Sequence, residues 1–222
     1  MSSDAPVRWN CAGWSPAEIT VKLRELNADA AVEVVGHLPQ IGQAGLFSGL
    51  SQRLTIEVTS DVGDLLFFLG AEASIDVRGN AGDCLGHSMR SGRVTVAGNA
   101  ARSLAAYATG GFVAVLGHAA ERCGEGLSGA NVFVRSRVGA MAGYAMRGGT
   151  LVLGNGCGER LGEEMTGGVI YVRGEITSKA TSLRADRMKA ADSLRLSLLL
   201  AEAGIKSSGS DFQVFRPQGA VA

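Results

Sequence analysis

The segment Gly110-Gly111-Phe112-Val113-Ala114-Val115-Leu116-Gly117 decides the fold, because versions of it return along the chain every nineteen residues. Its alternating apolar pair, Val113 and Val115, has counterparts on both sides with no insertion or deletion between them. In chain order the seven pairs are Ile56/Val58, Ile75/Val77, Val94/Val96, Val113/Val115, Val132/Val134, Leu151/Leu153 and Ile170/Val172. A fixed period of this length indicates a repeat architecture.

Three further apolar columns keep the same period. They are Val62, Ala81, Ala100, Ala119, Val138, Cys157 and Ile176; then Leu66, Leu85, Leu104, Cys123, Ala142 and Leu161; and then Met89, Ala108, Leu127, Met146 and Met165. The alternating pair places two side chains on one face of a short strand. A helix would need apolar spacing near 3.6 residues and would not tolerate 32 glycines in 222 residues.

A chain that coils, with each turn stacked on the last, satisfies this pattern. The sequence therefore predicts an all-β fold: a single-stranded, right-handed parallel β-helix of about seven nineteen-residue turns. The recurring glycines are expected at corners with positive φ or where backbones approach closely. We divide the chain into an N-terminal helix, strand and capping coil (1–53), the β-helix repeats (54–176), and a C-terminal helix with an extended tail (177–222).

The N-terminal part is predicted to cap the first turn. Ser15-Pro16-Ala17-Glu18 has the residues of a helix start, and this helix is expected to end near Asn27, before a strand at Ala31–Val35. Residues 1–14 are expected to be irregular, and Trp9 and Trp14 either form a docking tail or cover the open end of the first turn.

The glycine-rich stretch 36–53 follows this predicted strand and contains His37, Pro39 and Gly42. It lacks the context of a phosphate-binding loop, because no Lys-Ser or Lys-Thr pair and no helix start follow its glycines. It is predicted to be an irregular coil that protects the strand edges at the end of the solenoid.

The C-terminal part is predicted to be a helix over Leu183–Ala203, followed by a short strand or extended arm over 211–217. One apolar stripe of this helix contains Met188, Ala191, Leu194, Leu198 and Ala201. Leu196, Leu199 and Leu200 widen the apolar surface beyond that stripe. This width predicts burial on two sides, one of them against another subunit.

Composition favours a cytoplasmic protein that binds neither nucleic acid nor membrane. The 21 basic and 21 acidic side chains give a net charge of zero, and there is no apolar stretch of eighteen residues and no apolar signal segment. The four cysteines, Cys11, Cys84, Cys123 and Cys157, contain no C-x-x-C pair. Cys123 and Cys157 are expected to be buried thiols, because they fall in apolar columns.

The polar positions of the repeats indicate a solvent-exposed surface rather than a catalytic site. One corner column reads Asp61, Asn80, Asn99, His118, Arg137, Gly156 and Glu175. The two asparagines are expected to hydrogen-bond along the axis, and His118 is expected to face solvent. Glu121-Arg122 and Glu159-Arg160 are interpreted as solvated faces, with salt bridges to a partner as the alternative. We therefore predict no catalytic, cofactor-binding or metal-binding residue in this chain.

The segments Gly110–Gly117 and Gly167–Gly174 resemble the GXGXG domain, the C-terminal β-helix of the glutamate synthase large subunit. The same domain occurs in a subunit of formylmethanofuran dehydrogenase and as a free-standing small subunit of glutamate-synthase-like enzymes. The C-terminal helix followed by Phe212-x-x-Phe215-x-Pro217 also looks like the end of the glutamate synthase domain. The resemblance covers roughly residues 31–217.

The resemblance implies a non-catalytic structural subunit of a multisubunit flavoenzyme. The short chain is most like the free-standing β-helix subunit of N-methylglutamate synthase. The implied partners in a hetero-oligomer are a glutamine amidotransferase-like subunit and a glutamate synthase-like subunit. The latter is expected to hold FMN and iron–sulfur clusters, with no cofactor bound by this chain alone. The alternatives are a β-helix subunit of a formylmethanofuran dehydrogenase or formyltransferase–hydrolase complex, and a stand-alone β-helix binding protein.

Overall fold

The repeats form a parallel β-solenoid, as predicted. The structure is a computed structural model that describes residues 6–36 and 44–219, so His37, Pro39 and Gly42 of the predicted coil lie outside the described residues. The elements are β1 (Val7–Asn10), α1 (Pro16–Arg24), β2 (Ala31–Val35), β3 (Thr55–Val58), β4 (Ser74–Val77), β5 (Arg93–Val96), β6 (Phe112–Val115), β7 (Asn131–Val134), β8 (Arg147–Leu153), β9 (Gly167–Val172), β10 (Leu183–Asp186), α2 (Ala190–Glu202) and β11 (Gln213–Pro217).

The described strands make one sheet in the order β1 to β9, then β11 and β10. From β3 to β9 every strand pairs in parallel with the next, and the alternating apolar pairs stand opposite one another. Both residues of every apolar pair are buried inside the solenoid, in the cluster that we call the inner core. Seven stacked strands enclose six full turns, so the solenoid has about six turns rather than the predicted seven.

A second line of parallel bridges runs through the column that begins at Val62 and ends at Ile176. It continues the stacking beyond the last full strand, because Cys157 pairs with Ile176 and Leu161 pairs with Lys179. The repeats were predicted over residues 54–176, and the structure continues the stacking to Lys179 before the chain leaves for β10.

The predicted positive φ of glycine is found at Gly92, Gly111, Gly149 and Gly168, but another corner of the solenoid adopts this conformation without glycine. One corner position has φ between 55° and 62° in six successive turns, and none of its residues is glycine: Leu65, Cys84, Ser103, Arg122, Met141 and Arg160. This conformation costs about 1–2 kcal/mol for an L-residue. Stacking offsets that cost, since the Leu65 N–H donates to the Asp83 carbonyl at 2.8 Å and the Cys84 N–H donates to the Arg102 carbonyl at 2.8 Å.

Glycine is also needed where two turns touch. At Gly110, Gly129, Gly148 and Gly167 a Cβ atom would lie 2.1 to 2.3 Å from a carbonyl oxygen of the preceding turn. Real Cβ atoms do not approach an oxygen so closely, so a side chain here would push the turns apart. Close approach of backbones, the second predicted role of glycine, is confirmed at this column.

The asparagine stack is confirmed and is longer than predicted. The Asn80 N–H donates to Asp61 Oδ1 at 2.6 Å, the Asn99 N–H donates to Asn80 Oδ1 at 2.9 Å, and the His118 N–H donates to Asn99 Oδ1 at 2.8 Å. The side chain of His118 itself is exposed, as expected. Each side chain thus satisfies a corner N–H of the next turn.

The N-terminal cap contains a strand where irregular chain was predicted. β1 pairs in parallel with β2, which adds a further strand to the end of the sheet. Trp9 and Trp14 lie with ring centroids 6.3 Å apart and pack partly buried against the inner core, which favours the end-covering role. The α1 helix begins with the predicted capping box at Ser15 and ends at Arg24, three residues earlier than the expected Asn27.

The predicted helix Leu183–Ala203 is wrong in its first part. Leu183–Asp186 form β10, and α2 begins only at Ala190. The reason is a distant partner: β10 pairs antiparallel with β11, which in turn pairs antiparallel with β9. This pairing overrides the local helix preference of the segment. The strand predicted in the tail is confirmed as β11.

Candidate interaction site

The outer face of the sheet changes character along the solenoid. The central outward column of β3 to β9 reads Glu57, Asp76, Thr95, Ala114, Phe133, Val152 and Tyr171. Its last four members are buried together with Phe112 and Val169 against Leu196, Leu199, Leu200 and Ala203 of the α2 helix. We call this cluster the outer core. It builds a second apolar layer on only the C-terminal half of the rod.

The α2 helix lies along the solenoid axis. At its N-terminal end Tyr171 of β9 donates a hydrogen bond to Asp192, and at its C-terminal end Arg93 of β5 donates to the Glu202 carbonyl at 2.7 Å. A helix of thirteen residues is about 20 Å long, and the four spacings from β5 to β9 add up to about 19 Å. The helix therefore uses nearly its full length to span the five strands from β9 to β5.

A buried polar cluster fixes the start of this helix. Asp192 is 5% exposed, and it accepts hydrogen bonds from the Tyr171 hydroxyl at 3.0 Å and from the Lys189 N–H at 3.0 Å. Arg216 of β11 donates to the same carboxylate and to Asp186 at 3.1 Å. The cluster thus joins α2 to β9, β10 and β11, and a buried carboxylate needs such partners to remain charged.

Electrostatics keep the Asp192 carboxylate ionised. Burial acts to raise its pKa, but the Lys189 N–H, the Tyr171 hydroxyl and Arg216 together hold the pKa below the usual value for aspartate. Burial and the hydrogen bond to Asp192 raise the pKa of Tyr171, so its hydroxyl stays a donor. The arrangement is a structural clamp in which both carboxylate oxygens of Asp192 already accept hydrogen bonds.

The face of α2 that packs is different from the predicted stripe. Leu196, Leu199 and Leu200, which were expected to extend the surface toward a partner, are buried in the outer core. Leu194 and Leu198, which belong to the predicted stripe, are each 62% exposed. The prediction of burial on two sides is therefore met on one side, and the second apolar side is open in this chain.

These exposed leucines form one wall of a groove, which we call the α2 groove. Its volume is about 740 Å³, and it is open to solvent along the helix. It is lined by Gly129, Asn131, Gly148, Gly149, Thr150, Gly168, Ala191, Leu194, Arg195, Leu198 and Leu199. Glycine backbone forms the floor, one side of α2 forms the wall, and Arg195 is the charged side chain of the lining.

A second exposed surface lies on the corner side of the solenoid. His87 is placed between two aromatic rings, with its ring centroid 5.5 Å from that of Phe68 and 5.5 Å from that of Tyr107. Leu69 and Tyr107 are 42% and 46% exposed. Arg122 and Glu125 continue this line as an ion pair at 3.2 Å. We call this surface the turn face; its polar groups are largely paired with one another.

The predicted buried thiols are found where expected. Cys11, Cys123 and Cys157 are buried, and Cys84 is intermediate in exposure. Burial raises the pKa of Cys123 to about 12 and that of Cys157 to about 11, so both thiols stay protonated and unreactive. The residues that the structure describes contain no group of three or more His, Cys, Asp or Glu side chains arranged to hold a metal ion.

The polar pairs of the repeats stay largely within the chain. Arg122 pairs with Glu125, and Arg160 pairs with Glu163, each three residues apart on one turn. Glu121 and Glu159 are exposed. The arrangement agrees with the solvated faces predicted for these dipeptides, and the arginines already have partners.

Sequence reasoning missed the outer core and the clamp, although one signal was available. The outward column turns from Glu57, Asp76 and Thr95 to Ala114, Phe133 and Val152 in the middle of the repeats. Outward positions that become apolar in consecutive turns indicate a covered face. The Asp192–Arg216 contact carries no such signal, since the two residues come from separate elements after the repeats.

The fold and the site together define a parallel β-solenoid whose outer face carries a docked C-terminal helix. Residues 16–195 match the model of the GXGXG motif family, and this match spans most of the 222-residue chain. The chain therefore belongs to the GXGXG motif family. This motif is found in glutamate synthase-type proteins.

A comparison with curated protein sequences gives no match. In the described residues, neither helix has the length and apolar character needed to cross a membrane.

Proposed function

We propose that this chain is a structural subunit of a glutamate-synthase-like multisubunit flavoenzyme. Membership in the GXGXG motif family supports the class of enzyme. The observation that supports the structural role is the α2 helix: its inner side is clamped to the rod, while Leu194 and Leu198 on its other side remain 62% exposed. Paired apolar exposure of this kind on a fixed helix is typical of a surface that meets a partner.

The particular enzyme that we propose is N-methylglutamate synthase, also called methylamine–glutamate N-methyltransferase. Its two other subunits would be a glutamine amidotransferase-like protein and a glutamate synthase-like protein that binds FMN and iron–sulfur clusters. The solenoid would hold these two at a fixed distance, because its stacked inner columns leave little freedom for bending. Catalysis is sensitive to misplacement of about 1 Å, so a rigid spacer between reaction centres has a direct effect on rate.

The test is reconstitution with and without this chain. A tagged version is isolated from its native cells, and the proteins that co-purify are identified by mass spectrometry. We expect the amidotransferase-like and flavin-binding subunits, and we expect methylamine-dependent formation of N-methylglutamate only when all three are combined. Turnover by this chain alone would contradict the structural role. Co-purification of formyltransferase and amidohydrolase subunits would assign the chain to a formyl-transfer complex instead.

A further inference from the structure

We infer that the α2 groove is the docking site for one extended segment of a partner subunit, a segment that presents a carboxylate to Arg195 and apolar side chains to Leu194 and Leu198. This inference rests on the proposed function, because it assumes that the chain works in a complex. It adds the location of the contact and the chemistry of the segment that makes it.

The floor of the groove suits an extended chain. Gly129, Gly148, Gly149 and Gly168 come from three successive turns, and they present backbone rather than side chains. The floor cannot be filled by substitution, since a Cβ on Gly129 would lie 2.1 Å from the Thr109 carbonyl oxygen. Three turns span about 10 Å along the axis, which matches about three residues of extended chain. A glycine surface of this kind permits close approach of another backbone.

The charge of the groove favours a carboxylate. Arg195 makes no ion pair or side-chain hydrogen bond within the part of the chain that the structure describes. The two carboxylates of the α2 helix are already engaged, because Asp192 is held by Arg216 and Glu202 lies 3.6 Å from Arg93. No acidic side chain lines the groove among the described residues. A guanidinium beside apolar surface binds a carboxylate with two parallel hydrogen bonds.

The same charge argues against a second copy of this chain as the occupant. A two-fold dimer brings identical patches together, so an α2–α2 contact would place two copies of the unpaired Arg195 near each other. Like charges in a partly desolvated interface oppose association. A segment of another protein with an acidic residue between apolar ones satisfies both the cation and the two leucines, which lie one helical turn apart.

The experiment compares two groove variants with one matched control in the tagged complex from native cells. The variants are Arg195→Glu and the double change Leu194→Asp with Leu198→Asp. The control is Val21→Asp, which places a new carboxylate on a residue that is 53% exposed on α1, at the other end of the rod. Thermal melting checks that each variant folds, and we expect the melting temperatures to stay near that of the wild type, since these side chains are exposed.

We expect each groove variant to retain at least tenfold less of a glutamate-synthase-like subunit than the wild type, while Val21→Asp retains it fully. Photo-crosslinking from position 198 should label one segment of that subunit, and the labelled peptide should contain Asp or Glu. If the folded groove variants retain as much of that subunit as the wild type does, the inference is overturned and the proposed function is left intact. Absence of any such subunit from the wild-type preparation would overturn the proposed function itself.

Two further outcomes would replace the occupant that we infer. Sedimentation of the purified chain could show a dimer that the groove variants abolish, which would identify a second copy in the groove. Calorimetry with free glutamate could show saturable binding that Arg195→Glu removes, which would identify a small carboxylate ligand. We expect a monomer in the first measurement and no saturable binding in the second.

Discussion

The two halves of the sheet are alike inside and different outside. In β3 to β5 the central outward residues are Glu57, Asp76 and Thr95, whereas in β7 and β8 they are Phe133 and Val152. The inner residues of both halves are buried valine, isoleucine or leucine. The repeated inward residues therefore form the solenoid itself. The outward residues become apolar only in its C-terminal half, and there they form the surface on which α2 packs.

The largest effect is expected from a charge in the inner core, which both halves share. Val115 is 0% exposed, so Val115→Asp would place a carboxylate in the apolar inner core without a polar partner. Burial of an unpaired charge costs more than the typical stability of a domain can tolerate, roughly 5 kcal/mol or more. We expect no cooperative thermal transition by circular dichroism. A variant that melts like the wild type would show that the inner columns are wrongly assigned.

The second effect separates the two halves directly. Phe133→Ala removes a buried ring beneath α2 and should lower the free energy of unfolding by about 3–5 kcal/mol. Thr95→Ala is the matched control in the same column, outside the outer core. Its buried hydroxyl has no hydrogen-bond partner within the described chain, so removal should be nearly neutral. Urea titrations measure both, and equal losses would show that the outer core does not stabilise the C-terminal half.

The third effect is a pH dependence of the unfolding free energy that the Asp192 clamp contributes. The folded-state pKa of Asp192 lies below its unfolded value of about 3.9, so its contribution is present above that pH and is lost as the pH falls through the folded pKa. The difference in unfolding free energy between wild type and Asp192→Asn should therefore shrink as the pH falls from about 5 to 3. Asp211→Asn, an exposed carboxylate 3.7 Å from Arg173, serves as the control. A difference that stays constant with pH would contradict the clamp.

The smallest effect is expected from the stack on the polar half. Asn99→Ala removes the acceptor of the His118 N–H on an exposed corner and should cost about 1 kcal/mol. Asn155→Ala changes an exposed asparagine of a later turn whose side chain makes no hydrogen bond to the described residues, and should cost less. Urea midpoints distinguish the two. A larger loss for Asn155→Ala than for Asn99→Ala would show that the stack contributes nothing.

The inner structure could be predicted from the sequence because each inward column keeps its phase over the repeats. A slip of one residue would turn Ile75 and Val77 to the outer face in place of Asp76, so the register of the strands follows from the period. The strand order, the buried cysteines and the axial asparagine stack are consequences of the same regularity.

The outer structure could not be predicted in the same way. The α2 helix has apolar residues at helical spacing on two sides, and spacing alone does not tell whether Leu194 or Leu196 faces the sheet. The β10 strand forms only because β11 pairs with it from thirty residues away in the chain. The clamp likewise joins Asp192 to Arg216 across separate elements. Non-local contacts of this kind leave no local pattern to read.

The most direct test of the central claim is hydrogen–deuterium exchange of this chain, free and in its assembled complex. The account predicts that assembly slows exchange in the α2 helix and in the glycine floor of the α2 groove, while the outer face of β3 to β5 is unchanged. Slowing confined to the turn face around Leu69 and Tyr107, with no change in α2, would contradict it.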